Sequence, residues 1–205
     1  MSFTPQPRRF ERLYRSKHFV PGSRIELLPK VFEKGRPDVI CLDLEDSVAP
    51  ADKPAARAAI VRALNEADFH GCFVTVRING LDTHWCYRDV IALIEEGGEQ
   101  LDAILIPKAG TAMDINAIDV LVTQASEAVG RKKRVGLEAL IESAAGLEHV
   151  EAICGASPRM QSVHFGAADF AASMGMRTTN IGGANKDYVV LSDADEKGAR
   201  ETHWD

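Results

Sequence analysis

Glu142 and Asp169 each close an apolar run and open a loop of small residues. Glu142 follows Val135-Gly-Leu-Glu-Ala-Leu-Ile141 and precedes Ser143-Ala-Ala-Gly146; Asp169 follows Ser162-Val-His-Phe-Gly-Ala-Ala168 and precedes Phe170-Ala-Ala-Ser-Met-Gly175. A carboxylate where a buried strand ends is costly unless it is paired or binds a cation. Two of them on neighbouring strands would hold one divalent metal and leave its remaining positions open to substrate. Hard oxygen donors of this kind suit Mg²⁺ better than Zn²⁺. The alternative for each residue is a helix N-cap or first-turn acid, which is common at such junctions.

Other strand ends carry charge as well. An arginine inside Val76-Arg-Ile-Asn-Gly80 must point into a polar pocket, because the Val/Ile core cannot solvate it. The fixed charge and donor fork of Arg77 suit a carboxylate or a developing enolate oxygen. Leu42-Asp-Leu-Glu-Asp-Ser47 places three carboxylates in four positions. Alternation puts Asp43 and Glu45 on one face and Leu44 and Asp46 on the other. One of the three could orient a metal-bound water or hold a basic residue; a solvated acidic turn is the alternative. Ile106-Pro-Lys108 brings Lys108 to the same edge, and an ion pair with the acidic loop is the favoured reading. In Val20-Pro-Gly-Ser-Arg24, Ser23 can cap a helix whose N-terminus, with Arg24 beside it, could receive a phosphate or carboxylate. A plain capped helix is the simpler reading there. Bond-making or bond-breaking next to a carbonyl fits this set of groups. The chain has neither the GxxxxGK[ST] loop of phosphoryl transfer nor a GxGxxG turn after its first strand.

These residues need a frame that brings strand ends together. Short apolar runs at 39–42, 72–78, 103–106, 135–141 and 162–165 look like strands buried on both faces, with a further short strand at 18–20. Helical patterns lie between them at 23–32, 53–67, 85–95, 113–128 and 143–153. Repeated strand–helix units with short loops predict a parallel α/β sheet with helical crossovers. About six units fit, whereas an eight-unit barrel takes about 250 residues. The sheet is therefore either open or a barrel that stops short. The polar 176–205 tail, with no closing strand in its pattern, favours the barrel. Residues 1–205 read as one incomplete domain, with a polar arm over 1–15.

The chain has 205 residues, 45% of them hydrophobic and 26% charged, which is ordinary globular composition. A formal net charge of −6 argues against a sequence-independent nucleic-acid binder. No apolar run is long enough to span a bilayer, and no signal peptide opens the chain. Cys41, Cys72, Cys86 and Cys154 lack CxxC spacing, so buried thiols in a reduced cytoplasm are expected.

Taken in order, Val20-Pro-Gly-Ser-Arg24, Leu42-Asp-Leu-Glu-Asp-Ser-Val-Ala-Pro50, Val76-Arg-Ile-Asn-Gly-Leu-Asp82, Ile106-Pro-Lys108, Ile141-Glu-Ser-Ala-Ala-Gly146 and Gly166-Ala-Ala-Asp-Phe-Ala-Ala-Ser-Met-Gly175 resemble the HpcH/HpaI aldolase and citrate lyase β-subunit superfamily. Within it, the pattern is most similar to the malyl-CoA/β-methylmalyl-CoA lyases. The resemblance implies a TIM-type (β/α)8 barrel, here with the closing units missing. It implies a Mg²⁺-dependent lyase, with Mn²⁺ as alternative ion, that cleaves malyl-CoA to acetyl-CoA and glyoxylate and β-methylmalyl-CoA to propionyl-CoA and glyoxylate. Glu142 and Asp169 match its metal ligands, and Arg77 matches the arginine that binds the keto acid. Phe19, Arg24 and Lys30 match contacts to coenzyme A. Asp43, Glu45, Asp46 and Lys108 match the active-site surround. The resemblance further implies a homo-oligomer, trimer or hexamer, and a proton-transfer aspartate in a C-terminal segment with no counterpart in this sequence. A catalytically incomplete metal-binding fragment, a citryl-CoA lyase and a malyl-CoA thioesterase are the alternatives.

Overall fold

Six short strands alternate with helices, and their spatial order repeats their order in the chain. The computed structural model describes residues 14–176. Strands β1 (Lys17–Pro21), β2 (Val39–Asp43), β3 (Phe73–Arg77), β4 (Ala103–Ile106), β5 (Gly136–Ile141) and β6 (Met160–Phe165) form one sheet in the order β1-β2-β3-β4-β5-β6, each neighbour pair parallel. Helices α1 (Leu28–Lys34), α2 (Lys53–Glu66), α3 (Cys86–Glu95), α4 (Ala112–Ala128), α5 (Ala144–Glu148), α6 (Val150–Gly155) and α7 (Ala167–Ser173) fill the connections. A doubly wound sheet reverses its strand order at a switch point. This sheet has no reversal, so it winds in one sense, as a (β/α) barrel does. No β1–β6 pairing closes it among the described residues.

The two faces of the sheet have different chemistry. Ile40, Leu42, Val74, Val76, Ile104, Ile106, Leu137, Ala139 and Ile141 join the main core, which also contains Ile60 and Leu64 of α2, Leu93 and Ile94 of α3 and Ile118 of α4. Alternate residues face the other way, where Cys41, Leu105 and Leu140 form a small separate apolar cluster. The same concave face carries Lys17, Asp43, Arg77 and Glu138. An ion pair joins Lys17 Nζ to Glu138 Oε2 at 2.5 Å. In a flat sheet β1 and β5 would stand about 19 Å apart, four spacings of roughly 4.8 Å. Two side chains cannot bridge that gap, so the sheet must be strongly curled.

Several sequence expectations need correction. β2, β4 and β5 are buried on both faces, but β1 and β6 are not; Val163 and Phe165 are exposed because β6 is an edge. The helix expected over 23–32 is a 3-10 segment, Gly22–Leu27, kinked at Arg24 and followed by α1. Ser23 makes no cap; the helix instead starts with Pro29 in its first turn, where a missing N–H costs nothing. The pattern over 143–153 is two helices, broken at His149. The arm over 1–15 and the tail over 176–205 lie almost wholly outside the described residues. All four cysteines are unpaired, with Cys41, Cys72 and Cys86 buried. No helix among the described residues is long and apolar enough to cross a membrane.

Loop ends are fixed by local hydrogen bonds. Thr111 and Asp114 form a capping box at the start of α4, and Ser143 Oγ accepts from the Gly146 N–H at 3.1 Å at the start of α5. A Cβ on Gly146 would collide with the Ala109 carbonyl, so the close approach of α5 to the loop after β4 requires glycine. Gly146→Ala should cost about 1–3 kcal/mol through overpacking. Urea denaturation that shows an unchanged midpoint would rule out this contact as a constraint.

Candidate active site at the carboxyl edge of the sheet

Arg77 is the last residue of β3 and is paired in register with Asp43, the last residue of β2. Its Nε and Nη2 donate to Asp43 Oδ1 and Oδ2 at 2.7 and 2.6 Å, a bidentate pair. Its Nη1 lies 2.8 Å from Glu45 Oε2. Burial works against the guanidinium charge, but the Asp43 and Glu45 carboxylates outweigh it and hold its pKa above the ordinary value. Asp43 also accepts from the Glu45 N–H and from Ser47 Oγ, at 2.9 and 2.5 Å. Burial raises its pKa, yet the Arg77 bonds more than compensate and hold it below 3.8. Phe19 of β1 covers the guanidinium, its ring centroid 5.4 Å from Arg77 Cζ.

Lys108 joins this cluster from the end of β4. Its Nζ donates to Glu45 Oε1 at 2.8 Å and lies 3.6 Å from Asp46 Oδ1. The ion pair favoured from sequence is therefore present, and Asp43 and Glu45 share a face while Asp46 is exposed. Lys108 has a left-handed backbone, φ +51°, directly after Pro107. That turn aims its N–H at Glu142 Oε1, 2.8 Å away. A non-glycine residue at positive φ marks a position whose surroundings over-determine it.

Glu142 directly follows β5 and is 3% exposed. Burial, with the nearby Glu45 and Asp169 carboxylates, pushes its pKa up to about 7 despite the Lys108 N–H bond. Gly166 opens the turn into α7, and a Cβ there would sit 2.6 Å from Glu142 Oε2. Asp169 lies in the first turn of α7 and is exposed. Asp169 lies close enough for its charge to act on Glu142, and Gly166 keeps the space beside Glu142 Oε2 free. Among the described residues no group of three or more His, Cys, Asp or Glu side chains is set to hold a metal. A buried Glu142 carboxylate with the Asp169 carboxylate nearby offers two hard oxygen donors, which fits a Mg²⁺ ion that retains waters and substrate oxygens in its other positions.

The structure brings together Phe19, Asp43, Glu45, Asp46, Arg77, Lys108, Glu142 and Asp169. It does not bring in Arg24 or Lys30. Arg24 is exposed and bonded to Glu26 at 2.7 Å; Lys30 is exposed on α1, beside a groove lined by His18, Val31 and Lys34.

Sequence reasoning missed three groups. Lys53 is buried; its Nζ donates to the Leu44 and Glu45 carbonyls at 2.8 and 2.9 Å and sits 5.3 Å from the Trp85 ring centroid. Nothing in a Lys-Pro-Ala-Ala helix start signals that burial. Asp89, fully buried, accepts from Arg57 Nε, the Asn79 N–H and Asn79 Nδ2, pinning the loop after Arg77. Glu138 stands inside the apolar run of β5, and that placement was a readable signal of the same kind as Arg77. It meets Lys17, Ser162 and His164.

Asp43 sets an expectation for pH. Because folding lowers its pKa, the unfolded chain binds this proton more readily. Its contribution to stability is present above 3.8, the unfolded value, and is lost as pH falls from there through the lower folded-state value. Asp43→Asn should cost about 2 kcal/mol at neutral pH, below the roughly 3–5 kcal/mol of a fully orphaned buried charge because Glu45 remains. The variant should also show a flatter acid limb in urea melts below pH 3.8; an acid limb identical to the parent's there would remove Asp43 from this role.

Comparison with known proteins places these residues in a family. Residues 15–189 match the family described as HpcH/HpaI aldolase/citrate lyase. The L-malyl-CoA/β-methylmalyl-CoA lyase of Rhodobacter capsulatus is 53% identical over 207 residues, covering 100% of this chain and 64% of that relative. Citrate lyase β subunit from M. tuberculosis, complexed with oxaloacetate and magnesium, superposes with a TM-score of 0.61 at 29% identity, over 79% of this chain and 62% of that one. The protein CitE from Mycobacterium tuberculosis, in complex with magnesium, acetoacetate and coenzyme A, gives a TM-score of 0.61 at 27% identity, over 88% of this chain and 57% of that one. The chain thus spans less than two thirds of the length of these relatives. With its one-way parallel sheet and charged carboxyl edge, the chain belongs to the HpcH/HpaI aldolase/citrate lyase family.

Proposed function

We propose that this chain carries the metal- and keto-acid-binding machinery of a Mg²⁺-dependent carbon–carbon lyase. Its substrates would be malyl-CoA, cleaved to acetyl-CoA and glyoxylate, and β-methylmalyl-CoA, cleaved to propionyl-CoA and glyoxylate. The observation that carries this reading is the convergence of Arg77, Lys108 and the Glu142–Asp169 pair on one sheet edge. The names of the relatives and the magnesium, keto-acid and coenzyme A complexes among similar structures support it.

Cleavage moves the substrate hydroxyl proton to a base and breaks the bond to the thioester α-carbon. Glyoxylate leaves, and the thioester enolate takes up a proton to become acetyl-CoA. Glu142 and Asp169 would hold the Mg²⁺, which when bound supplies Lewis acidity to the keto-acid oxygens. Arg77 commits two of its five N–H donors to Asp43, with Nη1 beside Glu45 as an ion pair. Its other donors can bind the glyoxylate carboxylate or steady the enolate. Because the carboxylates already fix the guanidinium, no reorganisation is needed as charge develops. Asp43 and Glu45 orient Arg77, and Lys108 balances Glu45 and fixes Glu142 through its backbone. Phe19 shields the pair from water. Phe19, Arg24 and Lys30 are assigned to coenzyme A, Phe19 at the site and the other two on the outer surface beside β1. The same reading assigns a homo-oligomer, trimeric or hexameric, and a cytoplasmic location, which the unpaired cysteines support.

The test is malyl-CoA cleavage by the purified 205-residue chain, with Mg²⁺ and with EDTA, followed by glyoxylate release. Mg²⁺-dependent release is expected; thioester hydrolysis without glyoxylate would replace the lyase reading with a thioesterase. Asp169→Ala should abolish Mg²⁺ binding in calorimetry with the fold intact, and retained binding would overturn the metal assignment. Arg77→Lys loses the bidentate fork and should lower kcat/KM roughly 100-fold. Near-parent turnover in that variant would remove Arg77 from catalysis.

A further inference from the structure

The concave face holds a second charged cluster, below the site and outside the mechanism just described. Lys17 of β1 reaches across to Glu138 of β5 at 2.5 Å, and its Nζ lies 3.4 Å from His164 Nε2 of β6. Ser162 of β6 donates to Glu138 Oε1 at 3.1 Å. Glu138 is 2% exposed and the Lys17 side chain 14%, so water screens the pair little. Among the described residues β1 and β6 are the two edges of the sheet and share no backbone pairing. This cluster is therefore a direct link between the edges. Phe19 is two residues beyond Lys17 on the same face of β1, with Lys17 Nζ 6.0 Å and Arg77 Cζ 5.4 Å from its ring centroid. On its other side β1 is held by backbone bonds to β2, by Val20 in the main core and by Arg15 bonded to Asp38 just before the strand.

We propose that Lys17 is a positioning residue: its ion pair with Glu138 ties β1 across the curl of the sheet and thereby seats Phe19 over the Arg77 guanidinium. Without the tie, the concave side of β1 loses its link across the curl, and the Phe19 end of the strand loosens. Arg77 then loses its cover on one side, and keto-acid binding weakens. The metal carboxylates lie just after β5 and in α7, and Glu142 is fixed separately by the Lys108 N–H. The inference rests on the lyase reading only for its keto-acid arm.

The experiment compares the parent chain with Lys17→Met, Lys17→Arg and Glu138→Gln. Hydrogen exchange is read at the β1 amides, and calorimetry reads Mg²⁺ affinity and glyoxylate affinity in saturating Mg²⁺. Lys17→Met and Glu138→Gln should speed β1 exchange at least tenfold, leaving α2 and α3 at parent rates. Glyoxylate affinity should fall at least tenfold and Mg²⁺ affinity should stay within twofold. Lys17→Arg should restore both exchange and glyoxylate affinity. Parent-like β1 protection in Lys17→Met overturns the proposal. Should Lys17→Met fail to fold, Glu138→Gln, which keeps the acceptor and loses the charge, decides in the same way. Fast β1 exchange with unchanged glyoxylate affinity also overturns the positioning role. If the parent itself binds no glyoxylate while the variants loosen β1, the tie stands and the lyase reading fails.

Discussion

A guanidinium buried at the end of a strand needs counter-charge, and much of this architecture supplies it. Arg77 is neutralised by Asp43 in the next strand and by Glu45 two residues further on. Those carboxylates then have to be balanced and held. Lys108 takes the far oxygen of Glu45, and Lys53 clamps the carbonyls of Leu44 and Glu45. Each buried charge would be expensive alone, and the group is tolerable because every member has a partner. The requirement dictates where four loops run. It also explains why the β2–α2 turn is rich in carboxylates without being a solvated turn.

Parallel strands wound in one direction make that solution geometrically available. Side chains at equal height on neighbouring strands meet at the carboxyl edge, so Asp43 and Arg77 are direct register partners. The curl brings non-neighbours together too, as Lys17 and Glu138 demonstrate. The outer face of the sheet is apolar and serves the helices, so the charged strand side chains Lys17, Asp43, Arg77 and Glu138 lie on the concave side. Division of labour between the faces lets a stable helical shell coexist with a polar interior.

Much of this was legible in the sequence. The six strands, their parallel pairing and the grouping of Asp43, Glu45, Arg77, Lys108 and Glu142 followed from apolar runs and from charges at their ends. Alternation correctly separated Glu45 from Asp46. Contacts between elements distant in the chain were not legible. No local pattern marks Lys53 as buried, because its burial comes from Trp85 and two carbonyls it meets only after folding. The break at His149 and the 3-10 segment before α1 are similar cases, in which tertiary packing decided between helix types of near-equal energy. Glu138 was legible in principle, since an acid within Gly-Leu-Glu-Ala-Leu-Ile violates the strand's own pattern as clearly as Arg77 does in its strand. Arg24 and Lys30 were placed by motif, and geometry leaves them on the outer surface by β1.

Lys108 carries a consequence for how such a chain can evolve. Its left-handed backbone costs roughly 1 kcal/mol for any residue with a side chain, and glycine would remove that cost. Selection acting on thermal persistence alone would therefore drift toward glycine at this position. The drift would erase the ammonium that balances Glu45 while leaving the backbone N–H on Glu142 in place. Backbone comfort and charge balance therefore make opposite demands on this one position.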